Sequence, residues 1–101
     1  MPEPNKRLAQ MLKEGRAAKA LTLRQLAAEI GVTHFTVSKV ENGHIAPGED
    51  YLVASAKALD LDLDNLLAVA GRIAPDVREA IVRTPALAGI IRASAKTAET
   101  A

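Results

Sequence analysis

Four residues about a third of the way along the chain carry side chains suited to contacting nucleic-acid bases. His34, Phe35, Ser38 and Lys39 are spaced so that they share the exposed side of a short helix whose other side is apolar. Histidine and lysine can donate hydrogen bonds to guanine or phosphate, serine can donate or accept, and phenylalanine can pack on a thymine methyl group. A helix held by its apolar back with such side chains outward fits the major groove of DNA.

Two of these residues also allow simpler interpretations. Phe35 is one of only two aromatic residues in the chain, and it could instead be a partly buried core residue. His34 could be a surface histidine without a partner. The sequence alone leaves both alternatives open.

The elements that must position these side chains are two short helices joined by a tight turn. Thr22 is placed as an N-cap of the first, and Ala27 is small enough for a close crossing of the two helices. Gly31 ends that helix and tolerates the positive φ that the turn requires. Thr33 then caps the second helix, which closes at Asn42-Gly43. The pattern predicts a helix-turn-helix from about Thr22 to Gly43.

The rest of the chain is also predicted to be helical, because it is rich in alanine and leucine and poor in aromatic residues. Apolar spacing and capping residues predict a first helix from Asn5 to about Lys19, a fourth from Glu49 to Leu59, and a fifth that Asp62 or Asp64 caps. A sixth is predicted over Asp76 to Arg83. A seventh is predicted to start at Thr84-Pro85, with threonine as N-cap and proline at the first helical position.

Charge is distributed unevenly along the chain. Residues 5–43 hold seven Lys and Arg against three Glu, a net charge of +4, whereas residues 44–71 hold one Lys against five acidic residues, a net charge of −4. A basic first half fits a polyanion as partner, although both halves could equally be ordinary solvated surfaces.

Other classes of function receive no support from the residues. The chain has no cysteine, and its only histidines are His34 and His44. It has no paired carboxylates on a common face, no Ser/His/Asp set and no glycine-rich phosphate loop. We therefore expect no enzyme activity, metal or cofactor. The sequence has no apolar run of roughly 18 residues and no signal-peptide pattern at its start, so we expect a cytoplasmic protein without a membrane span.

A set of residues occurs in order and without gaps between Leu8 and Gly71: Arg16, Leu26-Ala27, Gly31-Val32, Val37, Val40-Glu41-Asn42-Gly43, Pro47, Leu52, Ala56, Ala58-Leu59 and Leu66-Leu67. With this set the sequence resembles the Cro/CI-type (XRE) helix-turn-helix family. The resemblance implies an all-α fold, a five-helix lambda-repressor-like bundle whose third helix reads double-stranded DNA, here followed by one or two C-terminal helices.

The resemblance also implies roles for individual residues. Arg24, Asn42 and His44 match residues that contact phosphates, which set the register of binding without reading sequence. Arg16 and Glu41 match an ion pair that ties the first helix to the end of the third, a structural role. The residues that match base-contacting positions are Thr33, His34, Phe35, Ser38 and Lys39.

Two positions depart from the family pattern. Leu23 stands where glutamine often bonds a phosphate, which puts that contact in doubt. Gly15 replaces a large aliphatic residue, so the first helix is expected to be looser or to end differently.

The C-terminal region lies outside the resemblance, so we divide the chain into a DNA-binding domain at 5–71 and a helical extension at 72–97. The apolar residues of the extension are too few for a core of their own, and they must pack either on the fourth and fifth helices or on a second subunit. We favour dimerisation, with an interface formed by Ile81, Leu87, Ile90 and Ile91.

Two functions remain in competition. The first is a sequence-specific transcriptional regulator, a repressor that binds an inverted-repeat operator as a homodimer. The second is an antitoxin-like or protein-interaction module whose C-terminal helices bind another protein.

Overall fold

The computed structural model describes the backbone of residues 5–100 and the side chains of residues 5–96. All regular structure within this part of the chain is helical, which confirms the predicted fold class. The helices are α1 Lys6–Ala18, α2 Leu23–Ile30, α3 His34–Glu41, α4 Glu49–Leu59, α5 Leu63–Val69, α6 Pro75–Arg83 and α7 Ala86–Thr100.

The first five helices enclose the hydrophobic core in two adjoining clusters. The larger cluster joins α1, α3, α4 and α5 through residues that include Leu12, Val40, Leu52 and Leu66, all nearly inaccessible to solvent. The smaller cluster joins α2 and α3 to the end of α4, and its members are Leu26, Ala27, Val37 and Leu59. Val37, in the smaller cluster, and Val40, in the larger one, therefore anchor the inner side of α3 in the core.

Gly15 does not interrupt α1, although the sequence led us to expect a helix that is looser or ends differently. It is buried in the interior of the helix, which continues to Ala18. A Cβ atom at Gly15 would lie 3.0 Å from Leu61 Cδ1 and 3.4 Å from Leu59 Cδ1. Leucine side chains from the end of α4 and the loop after it thus fill the space that a large aliphatic residue at position 15 would need.

α6 and α7 form a hairpin after the bundle. The two helices pack on each other, and Ala74, just before α6, is buried against the core of the bundle. No extensive packing of either helix on α4 or α5 is seen in the described residues. α7 begins at Ala86, one residue later than predicted, because the carbonyls of Thr84 and Pro85 accept the Leu87 and Ala88 N–H groups in a preceding turn.

Aliphatic side chains of the hairpin remain exposed to solvent. Of the residues predicted to form a dimer interface, Ile81 and Leu87 are half-buried, whereas Ile90 is 62% exposed and Ile91 is 50% exposed. Within the described part of the chain, none of the helices is both long enough and apolar enough to cross a membrane.

Candidate DNA interface

Local capping fixes the geometry of the helix-turn-helix. Thr22 and Gln25 form a reciprocal capping box at the start of α2, in which each side chain bonds the other residue's backbone N–H. Gly31 has φ +76°, a left-handed conformation that glycine adopts without strain, and its N–H donates to the Ala27 carbonyl. The next helix, α3, begins directly after its N-cap Thr33. The turn between the two helices is therefore only a few residues long.

The outward face of α3 presents four side chains at helical spacing. Phe35, Ser38, Lys39 and Asn42 follow an i, i+3, i+4, i+7 pattern, opposite the buried side of the helix. Phe35 is 66% exposed, so the alternative that it belongs to the core is wrong. We define the reading face as Phe35, Ser38 and Lys39; Asn42, a predicted phosphate contact, lies at its end.

His34 lies beside the reading face and contacts it. Its ring centroid is 4.1 Å from that of Phe35, with an angle of 33° between the ring planes. His34 is half-buried, so it is not the isolated surface histidine of the alternative interpretation. The pair forms a continuous aromatic surface at the start of α3.

Hydrogen bonds already engage three of the predicted DNA-contacting side chains. The Thr33 hydroxyl accepts the Thr36 N–H at 3.2 Å as the N-cap of α3. Asn42 Nδ2 donates to Ser38 Oγ at 3.2 Å, which leaves the Ser38 O–H and the second Asn42 N–H free to donate elsewhere. This bond links a predicted phosphate contact to a predicted base contact.

The other predicted phosphate-contacting residues lie at the two ends of the motif. Arg24 is exposed in the first turn of α2 and lines a groove that it shares with His34 and Phe35. His44 is exposed after α3, where its backbone N–H donates to the Lys39 carbonyl.

Lys6 is a candidate phosphate contact that sequence reasoning misses. It is exposed at the start of α1, and it lines a surface depression together with Asn42 and Gly43. Only the fold brings this group together, because Lys6 and Asn42 are 36 positions apart in sequence. The one signal in the sequence is the basic character of residues 5–43.

The structure brings Arg16 and Glu41 together in a two-pronged ion pair. Arg16 Nε and Nη2 donate to the two Glu41 carboxylate oxygens at 2.7 and 2.9 Å, and Nη1 donates to the Leu21 carbonyl at 2.7 Å. The hydrogen bond to Glu41 raises the pKa of Arg16, and burial opposes that rise. Glu41 is buried on the side of α3 away from the reading face. Because Arg16 bonds both Glu41 and the Leu21 carbonyl, it links α1 to the end of α3 and to the loop after α1.

Tyr51 lies near this ion pair. Burial raises the pKa of its hydroxyl to about 12, and the negative charge of Glu41 adds to the rise. Its hydroxyl oxygen is buried and has no hydrogen-bond partner among the described residues.

A helix-turn-helix whose second helix is anchored in the core on one side, and exposes polar and aromatic side chains on the other, is typical of a class of DNA-binding proteins. The family model described as helix-turn-helix (HTH_3) matches residues 12–66, more than half of the chain. The protein belongs to this XRE-type family of DNA-binding transcriptional regulators, as the resemblance in the sequence implied.

Individual relatives agree with this assignment. The chain is 39% identical over 75 residues to the HTH-type transcriptional regulator RghRB of Bacillus subtilis, a match that covers 70% of this chain and 54% of RghRB. The chain thus spans about half the length of that relative.

Two solved structures share the fold. The restriction-modification controller protein C.AhdI from Aeromonas hydrophila is 31% identical, with a TM-score of 0.57 over 60% of this chain and 92% of C.AhdI. The clp gene regulator ClgR from Corynebacterium glutamicum is 25% identical, with a TM-score of 0.60 over 92% of this chain and 95% of ClgR. The second match therefore extends beyond the five-helix bundle into the C-terminal hairpin.

Proposed function

We propose that this chain binds double-stranded DNA in a sequence-specific manner and acts in the cytoplasm as a transcriptional repressor. The observation that carries the proposal is the reading face of α3, which points to solvent while Val37 and Val40 hold the helix from behind. An exposed helix of this kind fits the major groove, where base edges are distinguishable. The role is one of binding and needs no catalytic group or cofactor.

The proposed contacts divide into base contacts and phosphate contacts. Ser38 and Lys39 donate hydrogen bonds to base edges, with Thr33 and His34 at the margin. The phosphate contacts are assigned to Arg24, Asn42, His44 and Lys6, which lie at both ends of the motif. The net charge of +4 over residues 5–43 supports this orientation of the bundle toward DNA.

The direct test is selection of bound sequences from a random DNA pool, followed by affinity measurements on the selected site. Lys39→Ala is expected to weaken specific binding by about 1–3 kcal/mol without changing the unfolding midpoint. Lys57→Ala is the matched control, because Lys57 is also an exposed lysine near the end of a helix but lies on α4. Equal affinities of both variants and the parent chain would contradict the assignment of the reading face.

We further propose that a second copy of the chain covers the exposed face of the hairpin. Ile90 and Ile91 expose large apolar side chains on adjacent positions of α7, and their burial in a dimer would be favourable. Two copies related by a two-fold axis would read an inverted repeat whose half-sites are roughly 34 Å apart. Occupation of such a site in a promoter would exclude polymerase.

Sedimentation of the full chain tests this dimer. Ile90→Glu and truncation after Gly71 are both expected to give monomers. Val53→Glu is the control, because Val53 is an exposed aliphatic residue on α4, outside the hairpin. A dimer that survives the truncation would refute the hairpin as the interface.

The same exposed face favours a second candidate function, a module whose C-terminal helices bind a different protein. A full chain that stays monomeric at micromolar concentration, with the apolar face uncovered, would favour this candidate over the homodimer.

A further inference from the structure

Phe35 is the largest exposed apolar side chain of the reading face. Single exposed apolar residues are common on protein surfaces. Phe35, however, is continuous with the His34 ring and with a groove of about 350 Å³ whose walls include Ala27, Ala28 and Val32. Among the described residues, the lining of this groove includes one charged side chain, Arg24, and no carboxylate. The start of α3 is thus an apolar surface within a basic region.

The chemistry of the major groove limits what this surface can contact there. Base edges present hydrogen-bond donors and acceptors, and the one apolar group among the four standard bases is the C5-methyl of thymine. A phenyl ring has no donor or acceptor, so Phe35 cannot discriminate the other groups by hydrogen bonding. 5-Methylcytosine places the same methyl group at the same ring position.

From these observations we propose that Phe35 is a specificity-determining residue that reads pyrimidine 5-methyl groups, and that binding therefore responds to cytosine methylation. This inference rests on the proposed DNA-binding function, and the expected pair of symmetric half-sites rests on the proposed dimer. The Phe35 ring already lies against His34, with 4.1 Å between the ring centroids, so we expect less conformational freedom to be lost on binding. Burial of one methyl group corresponds to roughly 4-fold in affinity, and two symmetric half-sites to roughly 15-fold.

The experiment uses the selected duplex, with each thymine replaced in turn by deoxyuridine and each cytosine by 5-methylcytosine. We expect one symmetric pair of positions at which uracil lowers the affinity of the parent chain roughly 15-fold. Cytosine placed there should bind less tightly than 5-methylcytosine. Phe35→Ala should be indifferent to the methyl group at these positions, whereas the control Ile45→Ala, at another exposed apolar residue, should keep the full dependence.

The outcomes separate this inference from the function on which it rests. One outcome is that the chain binds a specific sequence but Phe35→Ala changes the effect of no methyl group. This outcome overturns the inference and leaves the proposed DNA-binding function intact. A Phe35→Ala defect that is just as large on uracil-containing DNA also overturns it, because the ring would then act as a wedge between bases. Absence of any sequence preference refutes the proposed function and the inference together.

Discussion

Removal of Arg16 tests whether the ion pair behind α3 supports the fold. The Glu41 side chain is only 4% exposed, and Arg16 supplies two of its hydrogen bonds. In Arg16→Met the carboxylate stays buried without its partner, which costs about 3–5 kcal/mol. Loss of the bond to the Leu21 carbonyl adds about 1 kcal/mol. Since domains of this size are stable by about 5–15 kcal/mol, the variant should be close to unfolding.

Urea denaturation followed by far-ultraviolet circular dichroism measures this loss. A double substitution, Arg16→Met with Glu41→Leu, removes both charges and should cost at least about 2 kcal/mol less than the sum of the single substitutions. The Glu79–Arg83 pair provides the control, because its shortest N–O distance is also 2.7 Å but its side chains are 61% and 76% exposed. Glu79→Gln should change stability by less than about 0.5 kcal/mol.

Two results would refute this reasoning. A loss below about 1 kcal/mol for Arg16→Met would mean that water or another group satisfies the Glu41 carboxylate in the variant. Strict additivity in the double substitution would mean that the two side chains do not depend on each other for stability.

Three other positions of the bundle give further predictions for stability. Ser55→Ala should raise the unfolding midpoint, because Ser55 Oγ is buried without a hydrogen-bond partner in the described residues and because alanine favours helix. A lower midpoint would mean that Ser55 Oγ does form a hydrogen bond in the folded protein. Gly15→Leu should cost about 1–3 kcal/mol in urea, since Leu61 already fills its space, and unchanged stability would contradict that packing. Stability should fall between pH 10 and about pH 12, because the unfolded state then ionises Tyr51 while the folded state keeps it neutral. Tyr51→Phe should remove this component, and the absorbance of tyrosinate measures the pKa directly because the chain has one tyrosine.

The predictable parts of the structure are those that local rules determine. Residue type and position predict Thr22, Gly31 and Thr33 as caps and turn, and the structure has them in these roles. Such signals are readable because the hydrogen bonds involved span only a few residues.

The parts that sequence reasoning missed depend on contacts between distant segments. The Leu61 side chain occupies the space beside Gly15, which has no side chain, and no local sequence pattern relates the two residues. Lys6 reaches the end of α3 only because α1 packs beside it. For the hairpin, the sequence left open which surface its aliphatic residues cover, and in the single chain Ile90 and Ile91 of α7 stay exposed.

The residues that anchor α3 in the core are different from those that its exposed side presents, and this separation affects how the preferred DNA sequence can change. Val37, Val40 and Glu41 fix the rotation of the helix from behind, whereas Phe35 and Lys39 contribute almost nothing to the core. Surface substitutions away from buried contacts usually change stability by less than about 0.5 kcal/mol. Replacement of Phe35 or Lys39 should therefore alter the DNA sequence that is preferred while the bundle remains equally stable. Because Val37, Val40 and Glu41 hold α3 in place, the residues on its exposed side can be substituted without loss of the fold.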